Sequence, residues 1–311
     1  MFATSNWNNL LKGKPAIGPL VAVAALAFAS AGCDQSPQFG PVANSRTAES
    51  IREALSEGSS AGGNQVVAPV GTGWATIRGR FVFDGAPPQM PPYGVTSEHN
   101  ICAPGGQPPL QETLLVDSGS GGIKNVAVYL RSAARVHESA AAKSEPIPFD
   151  QKACVFLSHV VAMTVGQPLE IMNSDPTGHN TKISGAKNTF NQTIESGTTI
   201  AYVPQQEEAI PAPVACSIHP WMSAYILPRE NAYVAITSDD GSFEIANVPA
   251  GEEIEFQVWH ESGASPGSGL VGATPDAPEL KWSNRGRFTV TLQPDEVKEV
   301  QVVVGASAFK G

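Results

Sequence analysis

Apolar side chains alternate with polar ones over short runs punctuated by Gly, Pro and Asp, the pattern of half-buried strands. Residues 75–83 alternate through Ala75, Ile77, Phe81 and Phe83 and stop at the Asp84-Gly85 turn. Residues 114–117 and 123–130 are the next strands, joined by a turn at 118–122. Pro87 to Pro92 cannot sit inside a sheet. Strand character returns at 155–165, a turn follows at 166–168, and strands are expected at 169–173, 190–194, 198–203, from 214 onward and at 224–227. Two alternating runs flank Asp239-Asp240-Gly241, a strong hairpin signal. Ile254, Phe256 and Val258 then share one face, and residues 287–304 supply two closing strands through Phe288, Val290, Leu292, Val300, Val302 and Val304. Residues 263–276 read as a loop, and no internal repeat is visible.

Composition agrees with that pattern. With 26 Pro and 30 Gly in 311 residues, the chain suits many short strands and turns, and its length allows two domains. The expected fold class is all-β. The net charge is −10, and the first 32 residues carry only Lys12 and Lys14, so removing them leaves about −12 (−10 minus +2). Such a surface excludes a nucleic-acid partner, which needs a basic footprint. It favours steering of a basic partner.

Residues 1–32 read as an export signal: Lys12 and Lys14, then a short apolar run from Ala16 to Ala29, too short for a comfortable membrane span. It ends in Ser30-Ala31-Gly32-Cys33, which resembles a bacterial lipoprotein box. The resemblance implies lipidation at Cys33 and a membrane anchor; ordinary cleavage near Ala31 is the alternative. Either way the protein is expected outside the cytoplasm, in the periplasm or at the cell surface. Residues 33–72, rich in Ser, Gly, Ala, Asn and Gln, read as a tether, with at most a marginal helix at 47–55.

The chemistry concentrates in Cys216-Ser217-Ile218-His219-Pro220-Trp221-Met222, spaced C-x-x-H-x-x-M. A thiolate, an imidazole and a thioether in one loop select copper over hard cations, and His179 upstream supplies a second imidazole. Zinc takes methionine poorly, and a Cu(I) carrier would use Met-rich or paired-Cys segments, whereas the chain has five Met. Asn173-Ser174-Asp175 followed by His179-Asn180, and then the ligand loop, resemble the blue-copper (cupredoxin) family, with His-to-Met spacing similar to the amicyanin branch. The resemblance spans roughly residues 154–228. It implies one type 1 copper ion held by His179, Cys216 and His219 in the plane and Met222 on the axis. It also implies Asn180 as a tie between the His179 strand and the ligand loop, and one ring edge of His219 at the surface, framed by Pro220 and Trp221, as a docking patch.

Residues 237–251, with Asp240-Gly241, Phe243, Ile245 and Val248-Pro249 in order, resemble a carboxypeptidase regulatory-like (transthyretin-like) β-sandwich, whose opening strands look like residues 77–85 and 123–130. The organisation this implies is a sandwich of residues 73–130 and 231–307 with a Greek-key cupredoxin domain, 131–230, inserted in it. Cys102 and Cys154 either form a disulfide or stay as buried thiols. His99, His137, His159 and His260 read as surface, solvated or structural residues; His99 and His159 could make a second metal site only if those cysteines met. No nucleophile-base arrangement, P-loop or dinucleotide fingerprint appears. The expected function is therefore one-electron transfer between protein partners by a monomer, not an enzyme. The alternative is a non-redox binding or adhesion module with a structural copper site.

Overall fold

The computed structural model describes residues 71–310; the export signal, most of the tether and Cys33 lie outside the described residues. The fold is all-β. In chain order the strands are β1 (Trp74–Asp84), β2 (Ala127–Leu130), β3 (Ile147–Lys152), β4 (Val155–Phe156), β5 (Val160–Thr164), β6 (Leu169–Asn173), β7 (His179–Ser184), β8 (Thr189–Ile194), β9 (Thr199–Tyr202), β10 (Ala212–Ala215), β11 (Ser223–Arg229), β12 (Val234–Ile236), β13 (Ser242–Pro249), β14 (Glu253–Trp259), β15 (Lys281–Ser283), β16 (Arg287–Thr291) and β17 (Val297–Gly305). One short helix, α1 (His99–Cys102), lies between β1 and β2.

These strands make four sheets, paired around two cores. A three-stranded sheet in the order β13-β1-β17 faces a five-stranded sheet in the order β12-β2-β14-β16-β15. Between them lie Ile77, Phe81, Ile123, Val128, Leu130, Phe256, Phe288 and Val302, all buried. The alternation of β1 places Ile77 and Phe81 inward and Arg78 outward, where Arg78 pairs with Glu299. The second pair of sheets runs β5-β11-β10-β7-β8 and β4-β3-β6-β9. Their shared core holds Phe149, Met163, Leu169, Ile171, Ile183, Ile194, Val214 and Ile226. Strands β3 to β11 thus form one sandwich threaded into the chain between β2 and β12 of the other.

Two turns show how the local chemistry sets the chain path. The β12–β13 connection is closed by Asp240, whose Oδ1 accepts from the Ser242 amide and the Ser238 hydroxyl. Those bonds hold its carboxyl down at about 2. Gly241 follows at φ +80, and a Cβ there would stand 2.3 Å from the Phe81 carbonyl, so only glycine fits. At the β3–β4 turn Ala153 and Cys154 are both left-handed, at φ 52 and 55. This turn reappears at the functional site.

A third, smaller apolar cluster joins the two sandwiches: Ala127 and Tyr129 of β2, Trp259 of β14, Val160 of β5 and Leu227 of β11. Tyr225 and Trp259 meet edge to face at 4.9 Å. Arg229 is buried in the seam and donates to the carbonyls of Leu130, Arg131 and Glu208.

Several sequence expectations shift. Residues 114–117 carry only an isolated bridge from Val116 to Ile123, and residues 123–130 pair as a strand only from Ala127. Residues 155–165 split into β4 and β5, because Leu157-Ser158-His159 leaves the sheet to bring His159 into the seam. The segment before β2 does not stay with the first sandwich: Val95, Ile101 and Cys102 pack into the second core. Ala133 and Ala140, placed by sequence with the inserted domain, pack instead against the first core. Apolar contact, not chain order, decides where these linkers lie.

Candidate metal centre

The loop 216–222 closes the hairpin between β10 and β11, in which Ala215 is opposite Ser223. It is tightened from inside: the Met222 amide donates to the His219 carbonyl at 2.9 Å, and the Cys216 amide to the Met222 carbonyl at 3.3 Å. β10 also pairs with β7, whose first residue is His179. This register brings His179 and Asn180 to the same end of the sandwich as the loop.

Three donors meet there. The Nδ1 atoms of His179 and His219 are 2.9 Å apart, and Cys216 Sγ is 3.9 Å from His219 Nδ1. All three residues are buried, with their donor atoms within 4.8 Å of one another. Met222 is 1% exposed and belongs to the same core as Cys216. Asn180 ties the pieces together: its amide donates to Cys216 Sγ at 3.3 Å and its Oδ1 accepts from the Ser217 amide at 3.2 Å. Its Nδ2 is held by Asn191 Oδ1 and the Gln192 carbonyl. The His219 amide adds a second N–H to the sulfur at 3.4 Å. Two backbone amides are thus aimed at one sulfur.

Each imidazole is fixed from behind by a carboxylate. His179 Nε2 is 2.7 Å from Asp175 Oδ2, and His219 Nε2 is 2.6 Å from Glu98 Oε2. Asp175 is in turn cradled by the two left-handed residues of the β3–β4 turn: the Ala153 amide reaches Oδ1 at 2.7 Å and the Cys154 amide Oδ2 at 2.9 Å. Successive amides in such a turn form an anion-binding nest. Burial pushes the His179 imidazole down, with Asp175 opposing, which favours the neutral ligand form.

Both Nε2 atoms face carboxylates, and both Nδ1 atoms face inward, 2.9 Å apart. That inward pair can share a proton or a cation between its two nitrogens. A metal–nitrogen bond of about 2.0–2.1 Å and a metal–thiolate bond of about 2.3 Å let one ion span both separations seen here. The residues present therefore fit a single ion of the soft type that two imidazoles and a thiolate select.

Sequence reasoning missed Asp175 as a positioning residue, although it stands in the quoted Asn173-Ser174-Asp175 run. It also missed Glu98, which is 121 residues from His219 and carries no local signal. One expectation is overturned. His219 does not present a ring edge at the surface: it is 0% exposed, because Glu98 sits on its outer nitrogen. Pro220 and Ile218 are exposed and Trp221 is half-buried, its ring 5.2 Å from His219 and its Nε1 donating to the Cys154 carbonyl.

The structure joins Cys102 and Cys154 in a disulfide. Among the remaining histidines, His99 is exposed and His137 packs on Trp74 at 5.1 Å. His159 is clamped between Glu112 and Glu261, and His260 is buried. With both thiols oxidised and His159 so engaged, the second Cys/His site weighed from sequence is not assembled.

No family model and no curated protein matches the chain. Among solved structures it is similar to a copper-containing nitrite reductase from Thermus scotoductus at 18% identity and a TM-score of 0.26, over 31% of this chain and 25% of that one. The chain thus spans about a quarter of that reductase's length. It is also similar to amicyanin from Paracoccus versutus at 15% identity and a TM-score of 0.24, over 33% of this chain and 97% of that one. A purple cupredoxin from Nitrosopumilus maritimus aligns at 18% identity and a TM-score of 0.23, over 28% of this chain and 99% of that one. Among the described residues no helix is long and apolar enough to cross a membrane.

Proposed function

We propose that this protein is an exported type 1 copper protein that passes single electrons between protein partners. The observation that carries the reading is the trio His179, Cys216 and His219, whose inward donor atoms lie within 4.8 Å of one another at the buried pole of a β-sandwich. In this reading His179, Cys216 and His219, with Met222 beside them, would hold the ion. Copper bound there would supply a Cu(I)/Cu(II) couple.

The chain's own residues do the rest. The β7–β10–β11 framework and the Asn180 bridge keep the donors in one arrangement, so a change of charge needs little movement. Asp175 and Glu98 fix the outward protons of the two imidazoles, as carboxylates behind metal-bound histidines do. Burial of all three donors excludes water and competing ligands. The acidic surface, −10 for the whole chain, suits basic redox partners. We place the chain in the periplasm or at the cell surface, anchored through a lipid on Cys33, and among carriers, not enzymes.

The test is copper loading of the purified protein, followed by metal analysis and visible spectroscopy. An intense band near ~600 nm is expected, and Cys216→Ala abolishes it. A variant that stays coloured overturns the ligand assignment. The closed outer edge of His219 favours one rival, a non-redox surface module with a structural copper ion. That rival predicts a loaded protein that does not exchange electrons with small redox mediators.

A further inference from the structure

The residues behind the histidines differ in one respect. Asp175 is 5% exposed and belongs to the same loop as His179, whereas Glu98 comes from the distant β1–β2 connection and bonds His219 of the loop 216–222. Glu98 stands at the start of α1 in the left-handed region, at φ 50, an uncommon conformation for a residue with a side chain. α1 is pinned at its far end by the Cys102–Cys154 disulfide, and Val95 and Ile101 on either side are anchored in the second core. The sulfurs of that disulfide lie within 4.8 Å of a His219 ring nitrogen, so the strap runs directly against the imidazole. The second carboxylate oxygen of Glu98 accepts from Thr177 Oγ1 at 2.7 Å, tying it to the loop that carries Asp175.

Resting on the copper reading above, we infer that Glu98 is a positioning residue for His219 and the cover of its outer edge. It holds the ring with Nε2–H outward and Nδ1 toward Cys216, and it closes the route by which solvent, chelators and partners would otherwise reach the imidazole. The side chain is 37% exposed and His219 is 0% exposed, so whatever docks at this pole meets a carboxylate first. Both functions come from one hydrogen bond between the β1–β2 connection and the loop 216–222. Nothing in the first core requires a carboxylate at residue 98.

The cover is tested without metal. Diethyl pyrocarbonate carbethoxylates accessible imidazole nitrogens, and mass spectrometry reads each histidine separately. In the wild-type apoprotein His219, 0% exposed, should react much more slowly than exposed His99. Glu98→Ala should raise the His219 rate toward that of His99 and leave His179 unchanged. Glu98→Gln, whose amide oxygen still accepts a hydrogen bond, should restore most of the protection. In copper-loaded protein Glu98→Ala and Glu98→Gln should both raise the reduction potential, because both remove a negative charge beside His219. A purely structural role would not separate these two readouts. The inference is overturned if wild-type His219 reacts as fast as His99, or if Glu98→Ala leaves its rate unchanged while circular dichroism shows an intact fold. If the wild type takes up no copper, the functional reading fails and the labelling still decides the cover.

Discussion

His159 should make the stability of this protein fall as solution turns alkaline. It is 5% exposed in the seam between the sandwiches, with Nδ1 3.3 Å from Glu112 and Nε2 hydrogen-bonded to Glu261. Burial pulls its imidazole down, but the hydrogen bonds and charges of Glu112 and Glu261 outweigh it and carry the group up to about 9. Against a reference near 6.5 and at about 1.36 kcal/mol per unit, the full linkage is about 3 kcal/mol. The Glu112 side chain is 39% exposed, and screening of its share leaves about 2 kcal/mol. Since the folded state raises this pKa, the contribution is complete below pH ~6.5 and is lost as pH climbs through about 9.

The assay is urea unfolding followed by tryptophan fluorescence between pH 6 and 10, with the disulfide intact. The wild type should lose about 2 kcal/mol across that window, and His159→Gln should start lower and run flat. A flat wild-type profile, or a variant with the wild-type slope, would refute the reasoning. Neighbouring His260 acts with the opposite sign. Desolvation holds it down at about 4, with Glu261 opposing and His159 adding to the fall. It therefore withdraws stability only as pH drops from ~6.5 toward 4, outside the alkaline window.

Replacing Met222 by Leu should keep the fold and raise the reduction potential of the copper-loaded protein, since the axial ligand tunes such sites; protein-film voltammetry reads it, and an unchanged potential would remove Met222 from the axial position. Serine at both Cys102 and Cys154 should cost about 4 kcal/mol, the chain-entropy value for a closed loop of 52 residues; a loss under ~1 kcal/mol in denaturant melts would contradict it. Glu208 is 2% exposed and accepts from the amides of Ala186, Lys187 and Asn188. Glu208→Ala should cost about 2 kcal/mol, chiefly by leaving the buried Asn188 amide unpaired, and a thermal melt within ~1 °C of wild type would show that the loop relaxes instead.

What could be read from the chain was local. The turn at Gly241, the alternation of β1 and the C-x-x-H-x-x-M loop are each encoded within a dozen residues, where period and turn chemistry act directly. The hairpin expected across that turn does not form: β12 pairs with β2 and β13 with β1, so the turn passes the chain from one sheet of the sandwich to the other. The placement of His179 beside the loop was legible only through resemblance, because β7 reaches β10 across a register that no single segment specifies. Strand breaks were missed where side chains answer to a distant partner. Residues 157–159 alternate acceptably as a strand, yet the seam takes His159 out of it. The burial of His219 was invisible for the same reason: its cover comes from residue 98, in a proline-flanked stretch whose sequence describes a loop and nothing about what the loop rests on. The Cys102–Cys154 bond could not be chosen from spacing alone, and it is this bond that pins the covering segment.

The most direct measurement is electron paramagnetic resonance of the Cu(II)-loaded protein beside its Cys216→Ala variant, with bound copper counted in both. The account predicts one copper per chain and, in the wild type, the narrow copper hyperfine splitting of a thiolate-bound centre, replaced in the variant by the wide splitting of an ordinary copper site. Wide splitting in the wild type, or identical spectra from the two proteins, would mean that the sulfur at 216 and the two imidazoles do not share an ion.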